Sequence, residues 1–346
     1  QKRLRGTRLM HSVPVNRSET PMRAALILFL SLFPALAEAA SACSGTDIAN
    51  RLPAGRLAAA EAAADALPFA RGNHWIARRE GQTIHVIGTL HVSDPRMDAV
   101  MDRLGPTAAR SGRLYLESTI EAQEAFQASL ASDPSMVFLA GPTLIDLMGE
   151  DDWQQLAAAL KARGMAPWMA AKMKPWFLST LLAMPPCLAA DPTAIHGLDR
   201  RLNDAAQAAG VPVASLEHPD ILIALMDSAP LDQQISQLKA GLAAFGGGED
   251  GLATVTEAYF AERSALAMEV LKQAFLMENP AEADIKAWDD VVATLLDRRN
   301  REWMKVILAD EAPLFTVAAG AGHLAGEQGL LNLLSRAGFS LERAPF

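Results

Sequence analysis

Alternating and helical spacing of apolar positions divides this chain into short strands set among many helices. Trp75-Ile76-Ala77 and residues 83–87 are strand-like and flank Glu80-Gly81, which predicts a hairpin. Residues 97–109 have helical spacing, and Arg113-Leu114-Tyr115-Leu116-Glu117 is a strand that ends in a carboxylate. A helix over 198–209 stops at Gly210, and residues 211–217 form another strand that ends in a carboxylate, Glu217. Helices are also predicted over the alanine-rich segment 55–67, over 142–148 and over 152–163. Residues 167–185 are apolar, but Lys172, Lys174, Pro175 and Pro185-Pro186 interrupt them, so they read as a buried or cleft-lining helix pair and not as a membrane span. Gly246-Gly247-Gly248 reads as a turn or a hinge over a cleft. Residues 283–308 read as one long helix with an apolar stripe at Ile285, Trp288, Val292, Leu295, Trp303 and Val306. Arg299 falls inside that stripe, where a charge either snorkels to water or turns inward to meet buried carboxylates. A strand over 314–318, a helix over 328–336 and a last strand over 339–343 close the chain. The expected fold is α/β, with a central mixed sheet surrounded by helices and a site at strand ends drawn from both halves of the chain.

Half of the 346 residues are apolar, enough to bury a substantial core. Residues 24–33 form an apolar run of signal-peptide length after Met22-Arg23, and Ala35, Ala37 and Ala39 follow with the spacing of a cleavage site. The expectation is a leader over 1–39 with a start at Met22, export to the periplasm or beyond, and a single domain over 43–346. Cys43 stands in a weakly lipoprotein-like context, a less favoured alternative. The leader carries six basic and two acidic residues, so the net charge of −9 becomes about −13 without it. That balance argues against nucleic acid or an anionic membrane as partner. Cys43 and Cys187 are the only cysteines; in an oxidising compartment they could pair, or both could be buried thiols.

The candidate chemistry begins with two Gly-x-x-His motifs, Gly88-Thr89-Leu90-His91 and Gly320-Ala321-Gly322-His323, each closing a strand. Seven histidines and 23 glycines produce about half of one such match by chance, so the strand context carries the argument and not the count. Strand ends along one sheet edge converge, which would bring His91 and His323 to the carboxylates Glu117 and Glu217. Two imidazoles with one or two carboxylates make a divalent metal site with positions left for water. Glu217 or Glu117 would serve as base, and Arg299 or Asn300 would stabilise an oxyanion. His74 and His85 have no convergent context, and His196 and His218 are weaker candidates. Asp94 before Pro95 reads as a helix cap. Nucleophilic triads and phosphate loops find no support in the sequence.

The ordered motifs resemble the TraB/GumN family, which includes the animal Tiki proteases and the bacterial pheromone-shutdown proteins. They are Ile87-Gly88-Thr89-Leu90-His91, Tyr115-Leu116-Glu117, Gly197-Leu198-Asp199, Leu216-Glu217, Arg299-Asn300 with Trp303, and Gly320-Ala321-Gly322-His323-Leu324-Ala325-Gly326. Cys43-Ser44-Gly45 and Lys174-Pro175-Trp176 through Pro186-Cys187 resemble a secreted bacterial GumN-like subgroup that carries both cysteines. The resemblance implies a metal-dependent hydrolase, most simply a peptidase acting on a peptide or small secreted substrate. It implies His91, Glu117 and His323 at a metal, with manganese or cobalt favoured and zinc possible, and Glu217, Arg299 and Asn300 as second candidates. His218 departs from the Thr that many relatives carry after this glutamate. The alternative from a different class is a non-catalytic secreted protein that sequesters a peptide or cofactor with the same residues.

Overall fold

The computed structural model describes residues 43–189, 192–244, 248–278 and 281–346. The leader expected over 1–39, and Gly246 and Gly247 of the expected hinge, lie outside the described residues.

Six strands form one mixed sheet in the order β4-β3-β5-β2-β1-β6. The predicted hairpin is present as β1 (His74–Arg79) and β2 (Gln82–Thr89), turning at Glu80 and Gly81. Glu80 takes φ 50° and Gly81 φ 86°, a pair of left-handed residues suited to a two-residue hairpin turn. β3 (Leu114–Leu116), β4 (Val213–Ser215) and β5 (Leu314–Gly320) run parallel to β2 through the pairs β2–β5, β5–β3 and β3–β4. β6 (Ser340–Arg343) adds antiparallel to β1 at the far edge. The chain is thus the α/β fold with a mixed sheet that the sequence predicts.

Alternation sets the two faces of the sheet. Ile84 and Val86, Tyr115, and Phe315, Val317 and Ala319 point to one side, where they pack with Trp303, Met304, Ile307, Leu330 and Leu334. Ile87, Leu114 and Leu116, and Ala318 point to the other, against Met97, Val100 and Leu104 and against Leu198, Leu202 and Ala206. Strands that bury both faces read as near-continuous apolar runs, as the parallel ones do here. A third apolar cluster, Leu144, Trp153, Leu156, Leu160, Leu178, Leu182, Ile235 and Leu238, holds a helical lobe together.

The expected continuous helix over 283–308 is broken differently. Glu282–Val292 and Arg298–Ala309 are α-helical, and Ala293–Asp297 between them is a π turn. The axis continues, but the wider turn re-aims the residues that follow, Arg299 among them. The two cysteines are paired, Cys43 to Cys187, with Cα atoms 5.4 Å apart across 144 residues of sequence. The segment after Cys43 is fastened to the helix Gly248–Phe260 by Glu249, Asp250 and Thr254. Among the described residues no helix is long and apolar enough to cross a membrane.

Candidate active site at the strand ends

Because β2, β3, β4 and β5 are parallel, their carboxyl ends share one edge of the sheet, the place where open α/β sheets hold ligands. His91 follows β2, Glu117 follows β3, Glu217 follows β4 and His323 follows β5. Arg299 and Asn300 reach the same place from the first turn of the helix Arg298–Ala309.

Arg299 is the centre of the cluster. Its Nη2 is 2.6 Å from Glu117 Oε2 and 2.6 Å from Glu217 Oε1, and its Nε donates to Glu217 Oε1 at 2.7 Å. Its Nη1 donates to the Leu295 carbonyl at 3.0 Å, within the π turn, and lies 3.3 Å from His323 Nε2. Of the two courses open to Arg299 in the apolar stripe, the inward one is observed. Burial alone would draw down the Arg299 pKa, but two carboxylates in contact raise it. Glu217 is fully committed, since its other oxygen accepts from Trp303 Nε1 at 2.9 Å.

Glu117 presents one oxygen to the open space. Oε2 is held by Arg299, and Oε1 accepts from the Gly320 amide at 2.7 Å. A side chain at position 320 would stand 3.1 Å from that oxygen and 3.7 Å from His91 Nε2, so glycine leaves a small space bounded by these groups. Burial pushes the Glu117 pKa up, but His323, His91 and Arg299 outweigh it and hold the carboxyl down at about 2.

Both motif histidines turn Nε2 toward Glu117 Oε1, at 3.9 Å for His91 and 3.8 Å for His323. By the triangle inequality the two nitrogens are separated by no more than about 8 Å, which leaves a shared ion geometrically open. The His323 ring has a defined tautomer. Asn300 donates both amide hydrogens to carbonyls, those of His323 and Gln328, so its oxygen faces His323 Nδ1 at 2.7 Å and Nδ1 carries the hydrogen. Nε2 is therefore the lone-pair nitrogen. Burial lowers the His323 pKa to about 4, against the pull of Glu117.

His91 behaves oppositely. Its Nδ1 is 3.3 Å from Asp199 Oδ1, an ion pair in range but without the alignment of a hydrogen bond. Burial lowers its pKa, but Asp199 and then Glu117 reverse this and raise it to about 9. Asp199 was quoted above within a family motif and was given no role. What brings it here is Gly197, whose added Cβ would meet the Leu90 carbonyl oxygen at 2.0 Å. The backbones touch, the Leu198 amide bonds to that carbonyl at 2.9 Å, and Asp199 follows into contact with His91.

Other expected residues go elsewhere. His218 pairs with Asp220 at 2.7 Å and His196 with Asp204 at 3.1 Å, both at the surface. Asp94 bonds to Arg96 ahead of the helix Met97–Arg110. His74 and His85, without convergent context in the sequence, are diagonal neighbours on β1 and β2 with ring nitrogens 3.1 Å apart, outside this cluster. Asn300 and Arg299 have no spare donor for an oxyanion. The uncommitted hydroxyls are those of Thr89 and Ser118, buried without a partner among the described residues.

His91, Glu117, Asp199, Glu217 and Arg299 form the polar end of a cleft of about 720 Å³, and His323 and Asn300 are buried behind them. Val92, Phe126, Met184, Ile195, Ile223 and Leu252 give its walls an apolar character. The expected cleft-lining role of the segment near 180–185 is seen in Thr180, Ala183, Met184 and Pro185.

The pattern of the TraB/PrgY/gumN family matches residues 73–343, most of the chain. The chain belongs to the TraB/PrgY/gumN family. No curated protein matches it. The matched span in this TraB/PrgY/gumN member runs from the start of β1 to the end of β6, so it contains the whole sheet and every residue of the cluster.

By chemical type the donors suit a divalent ion: a carboxylate oxygen on Glu117, His91 once it releases its proton, and His323 Nε2, whose lone pair now faces Arg299 Nη1 at 3.3 Å and would have to turn from it. Their spacing is wider than one ion requires. Among the described residues no three His, Cys, Asp or Glu side chains stand close enough to hold a metal as they are placed. Ligands about 2.1 Å from one ion stand roughly 3.0–3.4 Å apart in octahedral or tetrahedral sites, against the 3.8 and 3.9 Å found here. The two distances to Glu117 exceed that range by about 0.4–0.9 Å, so a bound ion would require these side chains to move.

Proposed function

We propose that this protein is a secreted hydrolase, most simply a peptidase, that activates water at the sheet edge with a divalent ion held by His91, Glu117 and His323. The observation that supports it most is the pair of imidazole nitrogens facing one carboxylate oxygen at 3.9 and 3.8 Å. The disulfide is compatible with export to an oxidising compartment.

The titration behaviour supports a need for the ion. A general base works best near the ambient pH, yet Glu117 is held at about 2 and His323 at about 4. Bound there, a divalent ion would act as a Lewis acid and lower the pKa of its water toward about 7. The protein's own groups orient and exclude. Arg299 and the Gly320 amide fix both oxygens of Glu117. Glu217 is recast from base to anchor, because its oxygens hold Arg299 and Trp303. Asn300 is recast from oxyanion donor to the group that sets the His323 tautomer. The Thr89 and Ser118 hydroxyls become the donors for an oxyanion, and the apolar walls keep water from the reacting bond.

The test is metal analysis of the purified, disulfide-intact protein combined with chelator-sensitive cleavage of a peptide library. Stoichiometric manganese, cobalt or zinc, lost in His91→Ala with His323→Ala, and cleavage abolished by chelator would support the reading. Absence of metal uptake in the wild type would sink it, and retention of peptides without turnover would point to a sequestering protein.

A further inference from the structure

The ionisable groups that line the cleft do not all pair with one another. Three carboxylates line it, Glu117, Asp199 and Glu217, with three basic groups, His91, Arg200 and Arg299. Arg299 takes both glutamates, and His91 faces Asp199 and Glu117. Arg200 has neither an ion pair nor a side-chain hydrogen bond to any described residue. Its neighbours on the helix Leu198–Ala208 are both engaged, Asp199 with His91 and Arg201 with Asp98 at 2.6 Å. Arg200 is half-buried and lines the same cavity as the catalytic cluster.

A guanidinium that lines a cleft without an acceptor is available to a ligand that supplies one. The group whose geometry matches its fork is a carboxylate. The rest of the wall, including Val92, Phe126, Met184, Ile195 and Ile223, suits apolar side chains, and 720 Å³ accommodates a ligand of short-peptide size.

We propose that Arg200 is the specificity residue of this cleft and anchors a carboxylate of an otherwise apolar peptide, either its C-terminal carboxylate or an acidic side chain. The part played by cleavage rests on the hydrolase reading; the anchoring does not. The fork of Arg200 fixes the peptide's register along the cleft, so that the bond presented to Glu117 and His91 lies at a set distance from the anion.

The probe is a set of N-acetylated apolar hexapeptides, each made as the free acid, as the C-terminal amide, and as the amide with one internal aspartate. Peptides retained by the full-length, disulfide-intact protein on rapid gel filtration, and peptides cleaved, are both counted by mass spectrometry. Retention of an anionic form is expected to exceed that of the plain amide by about 10-fold or more, the scale of one charge-assisted hydrogen bond. Whether the free acid or the aspartate form is preferred identifies the source of the carboxylate. Arg200→Gln should bring the ratio to about 1, and Arg200→Lys should keep part of it, with thermal melts confirming that both variants fold. Equal retention of all forms, an unchanged ratio in Arg200→Gln, or no retention of any form overturns the proposal. A preference in retention without cleavage leaves Arg200 as the anchor and removes the hydrolase.

Discussion

His91 and His323 stand in the same short motif at the ends of adjacent parallel strands, and the protein treats them as opposites. His91 leaves 61% of its side chain in solvent, faces Asp199, and is raised to about 9. His323 is almost wholly buried, donates to Asn300, and is lowered to about 4. At neutral pH one ring is an imidazolium and the other a neutral base with a defined lone pair. Sites that do acid and base chemistry together separate the pKa values of like groups by environment. A shared motif therefore places two rings but does not give them one role; the residues behind each ring do that.

The strongest way to break the comparison is to remove the group that supports the buried half. Arg299→Ala leaves Glu217 buried and Glu117 largely so, without their counter-charge. The expected loss is about 3–5 kcal/mol in urea unfolding, and Arg299→Lys should recover only a fraction because it lacks the fork. A loss below about 1 kcal/mol would show that the carboxylates are solvated and the buried half is not held this way.

Acid should separate the two halves next. His323 has a folded pKa near 4 against an ordinary 6.5, so the unfolded chain binds its proton first as pH falls. Stability from this residue is complete above about 6.5 and is lost between about 6.5 and 4, by up to about 3 kcal/mol. Glu117, depressed to about 2, loses its contribution in a lower window, from about 4.5 down to 2. Melts across pH should show the upper window vanish in His323→Gln and the lower one shrink, because His323 leads the groups that hold Glu117 down while His91, Arg299 and the Gly320 amide keep part of it; persistence of the upper window would assign it to another group.

How much of this was legible in the sequence follows from the range of the signals. Hairpin, parallel strands and strand-end residues are local patterns, and each is where alternation and turn residues put it. The inward turn of Arg299 was legible only as one of two courses open to a charge in an apolar stripe. The π turn was not, because one extra residue per turn scarcely disturbs the spacing of apolar positions around it. Glu117 and Glu217 look alike as strand-terminal carboxylates; only the Trp303 bond to Glu217 and the Gly320 bond to Glu117 tell them apart. Asp199 was hidden because its contact with His91 depends on a backbone approach at Gly197, across a separation that no periodicity reports. The solitude of Arg200 is a property of what does not surround it, and a sequence does not record that.

Asn300→Ala should act on the tautomer more than on the fold. It removes the acceptor from His323 Nδ1 and two donors from loop carbonyls, at an expected cost of about 1–3 kcal/mol. Imidazole nitrogen shifts should report Nδ1–H in the wild type and a mixture in the variant. A wild type already mixed would contradict the assignment.

The smallest effect on stability, and the sharpest on the comparison, belongs to Asp199→Asn. His91 is mostly exposed, so water screens its ion pair and the change in unfolding free energy should be smaller than for the substitutions above. The titration should move much more. Asp199 is the leading group that raises His91 against burial, with Glu117 second and Arg299 opposing. With a neutral amide in its place, burial and Arg299 act against Glu117 alone, and the pKa should fall from about 9 toward or below 6.5 in a proton-carbon NMR titration. His323 has no contact with Asp199 and should keep its low value. The two histidines would then both be neutral at pH 7, and the asymmetry would be gone while the fold remained. If His91 stays near 9 in Asp199→Asn, the proton is held by Glu117, and the two rings are two ends of one charge system centred on that carboxylate.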